Sequence, residues 1–139
     1  MKHLQIWTDG AYSASRNQGG IGIVFVEDNN IIYTYSKCIK NTTNNRCELS
    51  AVIVALHSIS KYIPYITIYS DSQYVINSIN NNWQRKKNTK LWKLFDIVYK
   101  QAKQHCPNIS FEWVKGHVDN EFNNEADKLA VEASQEYGN

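Results

Sequence analysis

The order in which two side-chain periodicities alternate along this chain limits its fold more than any other feature. Residues 3–8 alternate around Leu4 and Ile6 and stop at Asp9-Gly10, which reads as a strand ending in a turn. A second apolar stretch opens at Gly19-Gly20 and carries Ile21, Ile23, Val24, Phe25 and Val26, and Asp28-Asn29-Asn30 supplies turn residues before a third strand over 31–35. Three antiparallel strands are the simplest account. The spacing then changes, because Leu49, Val52, Ile53, Leu56 and Ile59 repeat at helical intervals until Pro64. Residues 65–70, rich in β-branched and aromatic side chains, predict a fourth strand, and 72–79 a short helix. Leu91, Leu94, Phe95, Val98 and Ala102 mark an amphipathic helix closed by Pro107, followed by a fifth strand over 109–114 and a terminal helix over 123–136. The polar stretches 80–90 and 115–122 read as loops. A hairpin meander followed by crossover units gives an α/β fold with one five-stranded mixed sheet, three antiparallel strands and then two parallel, flanked by helices. The 139 residues form a single domain, 1–139, with no internal repeat and no linker.

On this plan four distant acids occupy similar places. Asp9 ends the first strand, Glu48 falls in the first turn of the first helix, Asp71 ends the fourth strand and Asp127 lies near the start of the last helix. If the first strand sits between the second and the fourth, chain direction changes beside it and a cleft opens beyond the carboxyl ends. Taken singly, each acid reads as an exposed turn or cap residue. Gathered in that cleft they would repel one another, and a buried carboxylate without a cation is costly or protonated. Hard cations such as Mg²⁺ accept carboxylate oxygens together with substrate phosphates, so the set points to phosphodiester chemistry.

Composition excludes some alternatives. No apolar run approaches the ~20 residues that span a bilayer, and the mean hydropathy is −0.50. Asp9 comes so early that the leading residues hold only a strand, with no room for a signal peptide, and the expectation is a soluble, cytoplasmic monomer with no membrane partner. Cys38, Cys47 and Cys106 are odd in number and lack a CxxC or zinc spacing, so they read as reduced, structural residues. Net charge is only +2, but Arg85, Lys86, Lys87, Lys90 and Lys93 cluster around Trp83 and Trp92, which combines phosphate-seeking charge with aromatic surface. The competing reading of that cluster is a solvated approach to a helix. Tyr33, Tyr35, Tyr62, Tyr65, Phe111 and Trp113 are expected to pack in the core or on the sheet faces.

Five segments then resemble one family. Thr8-Asp9-Gly10-Ala11, Thr43-Asn44-Asn45-Arg46-Cys47-Glu48-Leu49, Tyr69-Ser70-Asp71-Ser72-Gln73-Tyr74-Val75, Val114-Lys115-Gly116-His117 and Asn123-Asn124-Glu125-Ala126-Asp127-Lys128-Leu129-Ala130 together resemble type 1 ribonuclease H, in order and spacing and over essentially the whole chain. One such motif is weak and five in register are specific. The resemblance implies an endonuclease that cuts the RNA strand of RNA/DNA hybrids, leaving 5′-phosphate and 3′-hydroxyl ends. It implies that Asp9, Glu48, Asp71 and Asp127 hold two Mg²⁺ ions, with Mn²⁺ as a substitute, and that His117 shuttles a proton or aids product release. Two ions about 4 Å apart bring four positive charges, which four carboxylates balance.

By the same resemblance Gly10, Thr43, Asn44, Asn45, Gln73, Trp83 and Asn88 bind substrate. Asn44, Asn45 and Gln73 reach base edges in the minor groove, where amides both donate and accept. Asn44 and Asn45 also suit helix capping. Thr43 and Asn88 grip a DNA-strand phosphate, and Trp83 packs on a DNA sugar. Three departures from the family pattern stand out: Asn41 replaces an arginine, Asn124 replaces an acid, and the stretch between Trp83 and Trp92 is shorter than the family's basic protrusion, with Arg85, Lys86 and Lys87 as its remnant. The expectation is weaker hybrid affinity with a steeper salt dependence than in protrusion-bearing relatives. Two rival readings are a non-catalytic hybrid-binding module of the same fold and a DNA-cutting transposase or exonuclease of similar architecture.

Overall fold

A computed structural model of the chain describes residues 2–81, 85–116 and 120–136. Five strands, β1 (His3–Ser13), β2 (Gln18–Glu27), β3 (Asn30–Lys40), β4 (Tyr65–Ser70) and β5 (Asn108–Trp113), form one sheet in the order β3-β2-β1-β4-β5. The first two pairings are antiparallel, and β1 with β4 and β4 with β5 are parallel. The helices are α1 (Asn44–His57), α2 (Gln73–Asn80), α3 (Thr89–His105) and α4 (Glu121–Ser134), with one 3-10 turn at Ala14–Arg16. β1 therefore lies between β2 and β4, and the direction of connection changes beside it.

The hairpin between β2 and β3 follows from its two central residues. Asp28 and Asn29 have φ of 50° and 62°, the left-handed pair that matches the twist of the flanking strands and that short side chains able to bond locally tolerate best. The other tight reading fails. Asp9-Gly10 is strand interior, because β1 runs on to Ser13 and pairs with β2 through Asp9↔Gly22, Gly10↔Ile21 and on to Ser13↔Gln18. What ends near Asp9 is the parallel neighbour, whose last pair with β1 is Trp7↔Tyr69. Asp9 thus stands where the sheet narrows.

Strand alternation sorts the core into two layers. Leu4, Ile6, Ile21, Ile23, Phe25, Ile66 and Ile68 face α1, and α3 covers α1 with Trp92, Phe95, Val98 and Ala102. α1 lies beneath α3, and eight of its residues, Glu48 among them, are buried. On the other face Trp7, Val24 and Val26 pack against Phe122 and Ala126 of α4. That helix lies close on the sheet where β2 carries glycine: a Cβ on Gly20 would sit 2.2 Å from the Ala130 carbonyl oxygen, and one on Gly22 2.2 Å from that of Ala126.

Several boundaries and surfaces differ from the sequence reading. α4 starts at Glu121 because the Asn120 side chain accepts from the backbone N–H groups of Phe122 and Asn123, both at 3.0 Å. Glu48 is the fifth residue of α1 and not in its first turn, since the N-cap is Thr43, whose hydroxyl accepts from Arg46 N at 3.2 Å. Trp92 is core, 2% exposed, with its indole donating to the Tyr74 hydroxyl at 2.9 Å. It offers no aromatic surface to a ligand. Phe111 is buried and Tyr35 half-buried as expected, but Tyr33, Tyr62, Tyr65 and Trp113 are exposed. Cys47 and Cys106 are buried free thiols, Cys47 beside the Thr42 hydroxyl.

Candidate active site

Three elements bring acids to the narrowing of the sheet. Asp9 comes from the middle of β1 on the α4 side, Glu48 from the second turn of α1, and Asp71 from the residue after β4. One carboxylate oxygen from each lies within 4.8 Å of the other two. Asp127 on α4 is not one of those three, but it stands near enough to Asp9 to help raise its carboxyl. All four predicted acids therefore share one neighbourhood.

The close approach of α1 depends on Gly10. A Cβ there would stand 2.6 Å from both the Cys47 carbonyl carbon and the Glu48 nitrogen. Without one, the Gly10 N–H reaches Asp9 Oδ1 at 2.9 Å and Glu48 Oε1 at 2.6 Å, so one donor holds two carboxylates together. Asp71 is held differently. Its carbonyl oxygen accepts from the Trp113 indole at 3.1 Å, and Gly116 leaves so little space that a Cβ would lie 2.9 Å from Asp71 Oδ2. Ser72 begins α2 by accepting from Val75 N.

Electrostatics of the cluster follow from its burial. Asp9 and Glu48 are 3% and 6% exposed. Burial, then the charge of Asp71 and hydrogen bonding with Asp127, push the Asp9 carboxyl up to about 8. Burial, followed by the charges of Asp9 and Asp71, raises Glu48 well above the usual carboxylate range. Buried acids crowded in this way, with a single backbone donor between two of them, form a donor set of hard oxygens suited to a divalent cation.

The remaining sequence-predicted residues are distributed around this cluster. Asn44 and Asn45 are exposed in the first turn of α1, next to the capping Thr43, and Gln73 is the exposed first residue of α2. Asn88 adopts a left-handed conformation (φ 57°) before α3 and donates to the Tyr74 hydroxyl at 3.1 Å. It lies in a cleft of about 270 Å³ shared with Arg46, Thr89, Lys90 and Leu91. Trp83 and His117 lie outside the described residues. Arg85 is committed inward, with a 2.8 Å ion pair to Asp96 and its guanidinium 4.3 Å from the centre of the Trp92 ring. Lys86, Lys87, Lys90 and Lys93 are exposed.

Sequence reasoning did not single out Tyr74, Trp113 or Gly116 as supports of the site. All three lie within the quoted motifs or beside them, but only packing shows what each touches. A separate hollow of about 580 Å³ lies at the opposite end of β4 and β5, between His3, Tyr65, Thr67, Asn108 and Ser110. It contains none of the acids, and the candidate site is marked by its chemistry and not by concavity.

A five-stranded mixed sheet of this order, with three acids clustered beside its central strand, is the architecture that the comparisons place in a family. The RNase H family model matches residues 1–135. A ribonuclease H of Clostridium botulinum is 40% identical, with 99% of each chain covered. The crystal structure of RNase H1 from Halobacterium salinarum superposes with a TM-score of 0.77 at 25% identity, covering 94% of this chain and 96% of that one. The structure of LC11-RNase H1 in complex with RNA/DNA hybrid gives 0.78 at 26%, covering 94% and 95%. The chain belongs to the ribonuclease H family and is a hydrolase of that class.

Proposed function

We propose that this chain cleaves the RNA strand of RNA/DNA hybrids endonucleolytically, leaving 5′-phosphate and 3′-hydroxyl ends. The observation that carries the reading is the convergence of Asp9, Glu48 and Asp71 within 4.8 Å, with Asp127 beside Asp9, in a chain related to a protein solved with such a hybrid.

These four residues would hold a pair of Mg²⁺ ions, with Mn²⁺ able to replace them. When bound, the ions supply an activated water and a stabilised leaving oxygen for in-line displacement at phosphorus. Asp9 and Glu48, buried and joined through Gly10, give the site its fixed centre. Asp71 and Asp127 are half-buried and stand on the solvent side, where a phosphodiester would arrive. His117 follows Gly116, which lies against Asp71, and an imidazole there suits proton transfer as product leaves.

Recognition falls to the polar N-termini around the acids. Asn44, Asn45 and Gln73 present amides that both donate and accept, so they suit minor-groove edges of any sequence. Asn88 with Thr43, in reach of Arg46 and Lys90, suits a backbone phosphate. Trp83 would pack on a deoxyribose and Gly10 would let the RNA strand approach closely.

The test is cleavage of an end-labelled hybrid by the wild type and by Asp9→Asn, with Mg²⁺ or with chelator, alongside duplex DNA. RNA cleavage that requires both the ion and Asp9 is expected. Binding without cleavage by the wild type would leave a hybrid-binding module, and cutting of duplex DNA would indicate the transposase-like alternative.

A further inference from the structure

The hollow of about 580 Å³ at the starts of β4 and β5 plays no part in the nuclease reading. Strand alternation puts His3 of β1, Tyr65 and Thr67 of β4, and Asn108 and Ser110 of β5 on the sheet face that carries α4, since Leu4, Ile66, Ile68 and Phe111 pack in the layer under α1. α4 covers that face at Trp7, Val24 and Val26. It leaves Tyr65, Asn108 and Ser110 exposed.

One part of the lining is polar and cationic. The His3 imidazole meets the Thr67 hydroxyl through Nε2 at 2.9 Å, and Ser110 donates its hydroxyl to the same oxygen at 3.3 Å. The row crosses three adjacent strands. Thr67 is 8% exposed and forms the floor, whereas His3 and Ser110 are exposed at the rim. Held at Nε2, the imidazole keeps Nδ1 for a ligand, and the long Ser110 bond is one that an anionic acceptor would take over.

Charge has the same sign throughout. Lys2 lines the hollow, and the Lys103 ammonium stands at its edge, donating to the Pro107 carbonyl at 2.8 Å. None of the described residues that line it is a carboxylate: Asp28 shares a different hollow with His3, and Glu112 stands further along β5, opposite Tyr69.

The other part of the lining is flat and apolar. The Tyr65 ring, 57% exposed, stands with Pro107 at the strand starts. Between the two parts, the Asn108 amide nitrogen donates to the Pro64 carbonyl at 3.1 Å, which leaves its oxygen as an acceptor. Cations and hydroxyls beside an exposed aromatic ring suit a ligand that is anionic at one end and a flat ring at the other. A phosphate accepts from ammonium, imidazole and hydroxyl groups together, and a nucleobase stacks on an aromatic face. The volume falls within the range of small-molecule sites.

We propose that this hollow binds a mononucleotide. The phosphate lies among Lys2, His3 and Ser110, the base lies on Tyr65, and a ribose hydroxyl donates to the Asn108 amide oxygen. The site is at the start of β4, whereas Asp71 follows its end, so the length of the strand, about 20 Å, separates it from the acids. Binding there leaves the catalytic cluster untouched, and it stands or falls independently of the nuclease reading.

The experiment is a nitrogen–proton NMR titration of the full chain, in chelator, with adenosine monophosphate, adenosine or inorganic phosphate. The nucleotide should shift the amides of His3, Thr67 and Ser110 saturably. Adenosine and phosphate should each bind at least tenfold more weakly, because each lacks one of the two sets of contacts. Lys2→Glu, Ser110→Ala and Tyr65→Ala should each weaken nucleotide binding by about tenfold while hybrid cleavage is unchanged. All three side chains are exposed, and the spectra themselves show whether the variants fold. The proposal is overturned if no amide of the hollow shifts, if the variants bind as the wild type does, or if the shifts are confined to the cleft of Arg46 and Asn88. Phosphate binding as tightly as the nucleotide overturns the assignment of the base to Tyr65.

Discussion

The backbone N–H of Gly10 donates to Glu48 Oε1 across 2.6 Å while it also bonds Asp9 Oδ1. This contact ties the middle of β1 to the second turn of α1, and it exists only because residue 10 has no side chain. Gly10→Ala would place a Cβ 2.6 Å from two backbone atoms of α1. The helix must retreat, at a cost of about 1–3 kcal/mol by analogy with overpacked cores. Thermal denaturation should show that loss, and cleavage should fall more than stability does because Glu48 moves away from Asp9. Wild-type activity in a destabilised Gly10→Ala protein would contradict this account.

Metal-free protein should lose stability as pH rises. The Asp9 carboxyl is raised from its ordinary 3.8 to about 8, so the folded state holds a proton that the unfolded chain releases. That contribution is complete below about pH 4 and is lost as pH climbs through about 8. Melting temperature in chelator should therefore decline from pH 5 to pH 9. Mg²⁺ should raise it more at pH 9 than at pH 5, since the cation replaces the missing protons. A pH-independent response to Mg²⁺ would show that these acids do not hold the ion.

Asp9→Asn should separate stability from activity. Removing one carboxylate relieves the repulsion that raises Glu48, so the metal-free variant should melt higher than the wild type at pH 8 while showing no Mg²⁺-dependent cleavage. A variant that melts lower would mean that the Gly10 bond to Asp9 outweighs the repulsion.

Arg85 and its neighbouring lysines should behave differently. Arg85→Ala loses a partly exposed ion pair and a cation–π contact with Trp92, worth about 1 kcal/mol together, and should lower stability with little effect on hybrid affinity. Lys86→Ala and Lys87→Ala should do the reverse. Counterion release scales with the number of phosphates contacted, so a shortened basic stretch gives a shallower salt slope. This reverses the steeper dependence expected from sequence. Hybrid binding between 50 and 200 mM salt measures it.

Gly22→Ala tests how α4 is seated. The new Cβ would meet the Ala126 carbonyl oxygen at 2.2 Å, next to Asp127. Cleavage should drop while the far layer of the core, under α1, keeps its amide-exchange protection. Uniform loss of protection would mean that the two layers unfold as one.

The strand and helix pattern was legible because it depends on local composition and periodicity: alternation in β1, the apolar run of β2, the β-branched and aromatic run of β4, and intervals of three and four in α3 survive in any arrangement of the chain. The misreadings came where long-range packing overrode a local signal. Asp9-Gly10 resembles a turn, yet β2 is long enough to hold β1 straight through it, and the glycine serves α1 instead. Trp92 lies among lysines in sequence, but the helical repeat turns it inward onto Phe95 and Tyr74 while its neighbours face solvent. Tyr33 and Trp113 sit on strands at the two edges of the sheet, where no further layer covers them.

By itself the sequence determined the element order, the mixed sheet and the family, because hydrophobic period, turn residues and motif spacing are properties of the chain read in one dimension. Only the tertiary structure decided that Asp9, Glu48 and Asp71 stand within 4.8 Å of one another, that one amide bridges Asp9 and Glu48, and that burial raises the proton affinity of Asp9 and Glu48. Those properties depend on distance and desolvation, which arise when separate segments are packed against each other and water is removed from between them.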